Sequence, residues 1–569
     1  MIVGFFRGLK SLIVTIAALT WSVLAVVLLA LLAYAFLAMR DVPRLPDSPF
    51  GLQVTLSGRL VDALPASDWL SPWEAGGDTA LIDVLEALHE AAEDAAVKAV
   101  RLDVSELTEA GPASVVDLQR ALAKVRAAGK PVTVYADFYT QTQWMAAAGA
   151  GERLIHPMGA VEIKGLSSER LYWGEALRRW GLTPDIVKAG DYKTAPEAFE
   201  RASPSAEALF ADERWMKPLW ARLVSETESV AGLKSGALRG YAVALRELDA
   251  VAPADVALKR GLVTGFANQE TAHAKEAVKR WVGVEQYLSS KREGASEPSE
   301  QKPFVAVLFA EGEIASGGAA GIDADELVER IREVEKATNA KALLMRLNSP
   351  GGDAFAADRI YHALESVRAA GKPVVVSMGD MAASGGYWVS LAADKIVASP
   401  LSVTGSIGAF SVAPKLDGFL AKWGVGYAGY ATPEHVLSAS PFAPTSEPAR
   451  RLERALLTGV YGRFCALVAE RRGLDPVRVE EVAGGAVWTG EQAHTLGLVD
   501  VLGDFDDALE LAKRLTGGNV DEALVYLPPE RVRWQSLARS WLGAAVRALG
   551  VKTAEGTGMN VRLDIVPLL

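Results

Sequence analysis

The chain is written twice. Val125-Arg126-Ala127-Ala128-Gly129-Lys130-Pro131-Val132 recurs letter for letter as residues 367–374, 242 positions further on. Other matches drift in offset: Pro49-Phe50 meets Pro303-Phe304 at 254, and Gly261-Leu262-Val263 meets Gly497-Leu498-Val499 at 236. Loop insertions and deletions leave such drift in an old duplication. At 569 residues the chain is too long for one core, and the repeat says how it divides. The first copy is read over 50–288, a polar linker over 289–302 (SSKREGASEPSEQK), the second copy over 303–527 and a tail over 528–569.

Within the second copy, short β-branched runs alternate with helical patterns. Residues 305–309 read as a strand, 326–337 as a helix with Leu327, Ile331 and Val334 on one face, and 342–347 as a second strand. A helix over 357–370 and a strand over 373–376 follow. That is βαβαβ, an α/β fold whose mostly parallel sheet is covered by helices. Right-handed crossovers stack such units into a superhelix.

Residues 11–39 carry no charge and are rich in Leu, Val and Ala. As a helix this run would be roughly 43 Å long, more than the ~30 Å of bilayer hydrocarbon. It also exceeds the ~7–15 residue apolar region of a cleaved signal peptide, so it reads as a transmembrane anchor. Arg7 and Lys10 precede it, while Arg40 is offset by Asp41. The charge bias places the N-terminus in the cytoplasm and the rest outside. Three prolines over 41–49 make a stiff tether. Near the other end, Trp534, Leu537, Trp541, Leu542, Ala545, Val546 and Leu549 fall at helical spacing among Arg531, Arg533, Arg539 and Arg547. This pattern fits a helix on anionic lipid and equally one packed against the domain or a neighbouring subunit.

A net charge of −11 without a basic block argues against nucleic acid as a partner. Cys465 is the only cysteine, which excludes an intrachain disulfide and a zinc-type cysteine cluster. With no G-x-x-x-x-G-K-[ST] and no metal-spaced histidines, no metal or cofactor is expected.

The chemistry lies where the copies differ. Ala383-Ser384-Gly385-Gly386 of the second faces Gln141-Thr142-Gln143-Trp144 of the first, setting Ser384 opposite Thr142. The first copy in turn holds Lys193, and the matching stretch of the second (431–439) has no lysine. One duplicated fold has divided a serine and a lysine between its halves, the pattern of a Ser/Lys hydrolase. Asn348-Ser349-Pro350-Gly351-Gly352, Ser384-Gly385 and Thr404-Gly405-Ser406-Ile407-Gly408 all follow expected strands, where α/β proteins place ligands. Adjacent glycines can expose N–H groups to a substrate carbonyl, and Ser384 before an expected helix (386–392) adds the Gly385 N–H. None of the six histidines has a triad context. A lysine can act as base where burial lowers its pKa from ~10.4 toward ~7–8. The same sheet architecture also binds acyl-CoA thioesters, but the acidic charge and lack of a catalytic carboxylate weigh against that.

These motifs resemble the signal peptide peptidase A (protease IV) family of the long, duplicated, membrane-anchored type. Residues 348–352, 378–388 and 404–408 carry the resemblance, with Val487-Trp488-Thr489-Gly490, Gly497-Leu498-Val499-Asp500 and residues 502–506. It implies tandem crotonase/Clp-like domains and a serine endopeptidase acting on signal peptides that remain in the membrane after their release. It further implies Ser384 as nucleophile, Lys193 as general base, Ser406 orienting the lysine, and backbone N–H groups of Gly351, Gly352 and Gly385 as the oxyanion hole. A homotetrameric bowl on the outer face of the bacterial cytoplasmic membrane is implied as well. Two departures stand out: Thr194 and Pro196 after the lysine, and Asp353 after the glycine pair, where a small residue is usual. The second is expected to bear on substrate preference.

Overall fold

The computed structural model describes residues 45–46, 49–64, 77–246, 252–272, 278–294, 302–317, 321–430, 432, 440–518, 520, 524–527 and 562–563. The anchor expected over 11–39 and the helix expected over 531–552 lie outside the described residues. Among the described residues no helix is long and apolar enough to cross a membrane.

Each copy is built on its own sheet, parallel throughout in the first and parallel in the second except for Val487–Thr489 at one edge. In the first, Phe50–Val61, Val97–Ala110, Val132–Ala136, Glu152–Ile155 and Gly265–Phe266 lie side by side in that order. In the second, Phe304–Glu311, Ala340–Ser349, Val374–Ala383 and Lys395–Ala398 repeat the ladder. The latter strands are continuous apolar runs because both faces are covered. Ala306, Leu308, Leu343 and Met345 face one core, while Val305, Val307, Leu344 and Val375 pack under the helix Phe505–Leu515.

The repeated octapeptide has a structural task. In both copies it closes a helix, Pro112–Ala127 or Ala354–Ala369, with Gly129 or Gly371 at φ +80° where a side chain would be strained. The lysine that follows reaches back to helix-end carbonyls. Lys130 donates to Ala91 and Asp94, and Lys372 to Val334, Glu335 and Ala337. Identity between the copies therefore marks a shared cap, whereas the chemistry resides where they diverge.

Two features differ from the sequence reading. The helix Val284–Gly294 runs into the stretch read as linker, held by Tyr287 against Phe50 and by a Lys291–Asp94 ion pair of 2.8 Å. A third, mixed sheet also joins the copies: Asp185–Ala189 of the first pairs antiparallel with Ala409–Ala413 of the second. That crossing carries the next residues of the first copy into the second.

Candidate active site

Ser384 sits at the carboxyl end of Val374–Ala383, just before the short helix Gly385–Ser390. Its φ of 55° is a left-handed conformation rare for a residue with a side chain, and Ser406 shares it at 52°. Both are held by backbone bonds, Ser384 N to Gly405 O at 2.8 Å and Ser406 N to Ala486 O at 2.7 Å. The first copy places Thr140 at the N-cap of the equivalent helix Gln141–Ala147, so Thr140 rather than Thr142 stands opposite Ser384. The constant spacing of 242 fails here because Val374–Ala383 runs further than its counterpart Val132–Ala136. Thr140 spends its hydroxyl on a capping box with Gln143. Ser384 makes no such cap, and its Oγ accepts from Lys193 Nζ at 2.9 Å.

Lys193 arrives from the first copy, on the turn that follows Asp185–Ala189. It is 2% exposed, and its Nζ also donates to Ser406 Oγ at 2.9 Å and Ser406 O at 3.3 Å. The serine, the lysine and the second serine thus converge within a single chain.

Close backbone packing makes this approach possible. Tyr192 N donates to Gly484 O, and Gly485 lies so near the lysine that a Cβ there would fall 2.5 Å from Lys193 N. Gly190 has the same relation to Gly484. Buried Glu197 braces the turn, accepting from Ser205 N and Ser205 Oγ, with Lys188 at 3.6 Å. The Arg214 guanidinium stacks on both Tyr192 and Trp488. Sequence reasoning missed Gly484, Gly485 and Glu197; the glycine pair just before Val487 was the available signal.

Beside the dyad lie the expected oxyanion glycines. Gly351 and Gly352 adopt φ of 113° and 146°, and Gly352 N lies 3.2 Å from where a Gly385 Cβ would sit. Gly351 N donates to Ser349 Oγ at 3.2 Å, which removes it from the set of free donors. Asp353, the residue expected to bear on substrate preference, caps the helix Ala354–Ala369 through Ala356 N. A strand of two residues, Arg562–Leu563, runs antiparallel to Gly352–Asp353 and pairs with Phe410. Lys193 and Ser406 form part of the wall of a small cavity, where Tyr192, Trp215, Met381 and Val487 meet the Arg170–Asp212 ion pair. Among the described residues there is no cluster of His, Cys, Asp and Glu suited to a metal.

Such a fold and site define a Clp-like α/β serine peptidase. The profile of Peptidase family S49 matches residues 124–283 and 366–518, one stretch in each copy, and that of Clp protease matches 300–402. Protease 4 of Haemophilus influenzae is 33% identical over 460 residues, covering 78% of this chain and 74% of the relative. Protease 4 of Salmonella typhi is 34% identical over 449 residues, 77% and 72% of the respective chains. The chloroplastic serine protease SPPA of Arabidopsis thaliana is 26% identical over 475 residues, 81% of this chain and 68% of that one. The chain belongs to peptidase family S49 and is a serine peptidase of the signal peptide peptidase A (protease IV) type, duplicated in tandem.

Proposed function

We propose that this protein is a membrane-anchored endopeptidase that degrades signal peptides left in the membrane after their cleavage from preproteins. In this reading residues 11–39 hold it in the bacterial cytoplasmic membrane, with the peptidase domains on the outer side and the subunits in a homotetramer. The domain bounds are those of the sequence reading, with the linker shortened by the helix that ends at Gly294.

Ser384 is the nucleophile and Lys193 the general base. The observation that carries this is the 2.9 Å contact between Lys193 Nζ and Ser384 Oγ, buried and supplied by both copies. Burial of this kind disfavours an ammonium and favours a neutral amine. Neutral Lys193 takes the Oγ proton as Oγ attacks the peptide carbonyl carbon. The backbone N–H groups of Gly352 and Gly385 receive the oxyanion. The C–N bond then breaks, and the lysine passes its proton to the departing amine. Water, deprotonated by the same lysine, attacks the acyl carbon; Ser384 leaves and recovers its proton. Ser406 orients the amine through its Oγ and carbonyl.

An extended substrate adds as a strand in the position that Arg562–Leu563 takes beside Gly352–Asp353. The cavity by Lys193, apolar on the side of Trp215, Met381, Val403 and Val487, suits an apolar side chain of such a peptide. The test is labelling by a serine-reactive peptidyl fluorophosphonate with an apolar sequence. Wild type should be modified at Ser384 and Ser384→Ala should not; equal labelling of both, or a peptide adduct elsewhere, removes the proposal.

A further inference from the structure

The two copies meet across a charge cluster that the reaction does not use. Arg346 is buried on Ala340–Ser349 of the second copy, and its Nε donates to Asp62 Oδ1 of the first at 2.9 Å. Its Nη1 bonds Ser377 Oγ and Met378 O. Asp117, Glu311 and Asp380 all lie close enough to interact with this cation or with Asp62. Asp62, Asp117 and Asp380 thus share one buried guanidinium, and Glu311 stands against Asp62 and Asp380 with Arg59 as its opposing cation. Asp62 Oδ2 and Asp117 Oδ1 are buried without a hydrogen-bond partner among the described residues. Burial disfavours the charged form of a carboxyl group, and a neighbouring carboxylate adds to that.

Glu311 occupies the pivotal place in this cluster. Its Oε2 accepts from Asp62 N of the first copy at 2.9 Å, and its Oε1 from Asn348 Nδ2 at 3.3 Å. Asn348 opens the segment that ends in the oxyanion glycines, and its Oδ1 accepts from Met381 N, three residues before Ser384. One carboxyl group therefore ties the copy that supplies Lys193 to both segments of the copy that supplies Ser384.

We propose that Glu311 is a positioning residue: it holds Asn348 and Asp62 together and so aligns the oxyanion segment and Ser384 with the lysine of the other copy. This rests on the dyad reading above. A carboxylic acid keeps lone pairs for both donors, whereas a carboxylate adds a second negative charge beside Asp62. Burial, then the Asp62 carboxylate, push Glu311 up to about 8; the Asp62 N–H bond works against the rise, Asp380 adds to it and Arg59 opposes it. Burial likewise takes Asp117 to about 8, with Asp504 and Asp380 raising it and Arg346 and Arg120 lowering it. Above that range both groups ionise and the junction loosens.

The test compares full-length wild type with Glu311→Gln, Glu311→Ala and Asp117→Asn, by pH profiles of kcat and KM and by Tm against pH. For wild type, kcat falls by up to about tenfold per pH unit above the transition, as for a single required proton, while KM changes little. Glu311→Gln has no proton to lose, so its alkaline limb moves to higher pH, while kcat drops at every pH because its amide nitrogen cannot accept one of the two hydrogen bonds; Glu311→Ala loses both and lowers kcat further. The unfolded carboxyls lose their protons near pH ~4, so native Glu311 and Asp117 make wild-type Tm fall as pH rises from there to about 8. Glu311→Gln and Asp117→Asn each remove part of that fall. An alkaline limb unmoved in Glu311→Gln, or a wild-type slope of Tm in both neutral variants, overturns the proposal. Because the Tm measurement needs no turnover, it still judges the proton should the peptidase reading itself fail.

Discussion

Replacing Gly485 by alanine should cripple the enzyme by moving the lysine alone. A Cβ at this position would lie 2.5, 2.8 and 2.9 Å from Lys193 N, Cα and Cβ. Ordinary contact between such atoms is about 3.5 Å or more, so the lysine backbone must retreat by about 1 Å. A misplacement of that size costs about 10²-fold in rate, which is the expected loss in kcat. Backbone strain adds about 1–2 kcal/mol of instability, because Gly485 sits at φ +83°. Gly484 provides the control. It shares the strain at φ +68°, but a Cβ there would lie 3.9 Å from its nearest neighbours, Asp191 N and Tyr192 Cδ2. Gly484→Ala should therefore lose similar stability and keep kcat within a few fold. The assay is hydrolysis of a fluorogenic apolar peptide, with urea unfolding of each variant. Equal activity in the two alanine variants would refute the argument that this glycine exists to admit the lysine.

Further expectations follow from other contacts. Ser406→Ala removes the Oγ at 2.9 Å from the lysine and leaves its carbonyl bond; kcat should drop by about 10–10²-fold, within the range for a lost polar contact to a catalytic base, with KM little changed. Asp380 accepts from Ala113 N and Ser114 N and so caps Pro112–Ala127 from the other copy. Asp380→Ala should cost about 1–2 kcal/mol, as for other lost caps, read by urea unfolding. Removing residues 560–569 vacates the strand position beside Gly352–Asp353; kcat/KM for short peptides should rise, and an unchanged value would show that Arg562–Leu563 does not compete with substrate.

Much of this was legible in the sequence, and for identifiable reasons. A duplication that preserves a helix cap around Gly129 and Gly371 keeps its letters, so the repeat was visible. Loss of the serine from one copy and of the lysine from the other left a pattern that side-chain chemistry could interpret. The register at Thr140 was not visible, because the two strands before it end at different points and spacing alone cannot report that. Nor were Gly484, Gly485 and the partner of Asp380. Gly111 must lack a side chain because Asp380 lies where its Cβ would be, 267 residues away in sequence from the Ala113 it also bonds. Contacts between distant segments leave no periodicity to read. The cap that Asp353 provides was also missed, although its position just before the helix Ala354–Ala369 was the cue.

The central claim is that Ser384 and Lys193, from the two halves of one chain, perform the hydrolysis together. Its most direct test is peptide turnover by purified Ser384→Ala and Lys193→Met, each checked for folding, measured separately and after mixing. The account predicts no turnover in either variant and none on mixing, because both groups must lie in the same chain. Turnover by Lys193→Met would contradict the lysine's role as base, and recovery on mixing would contradict a dyad closed within the chain.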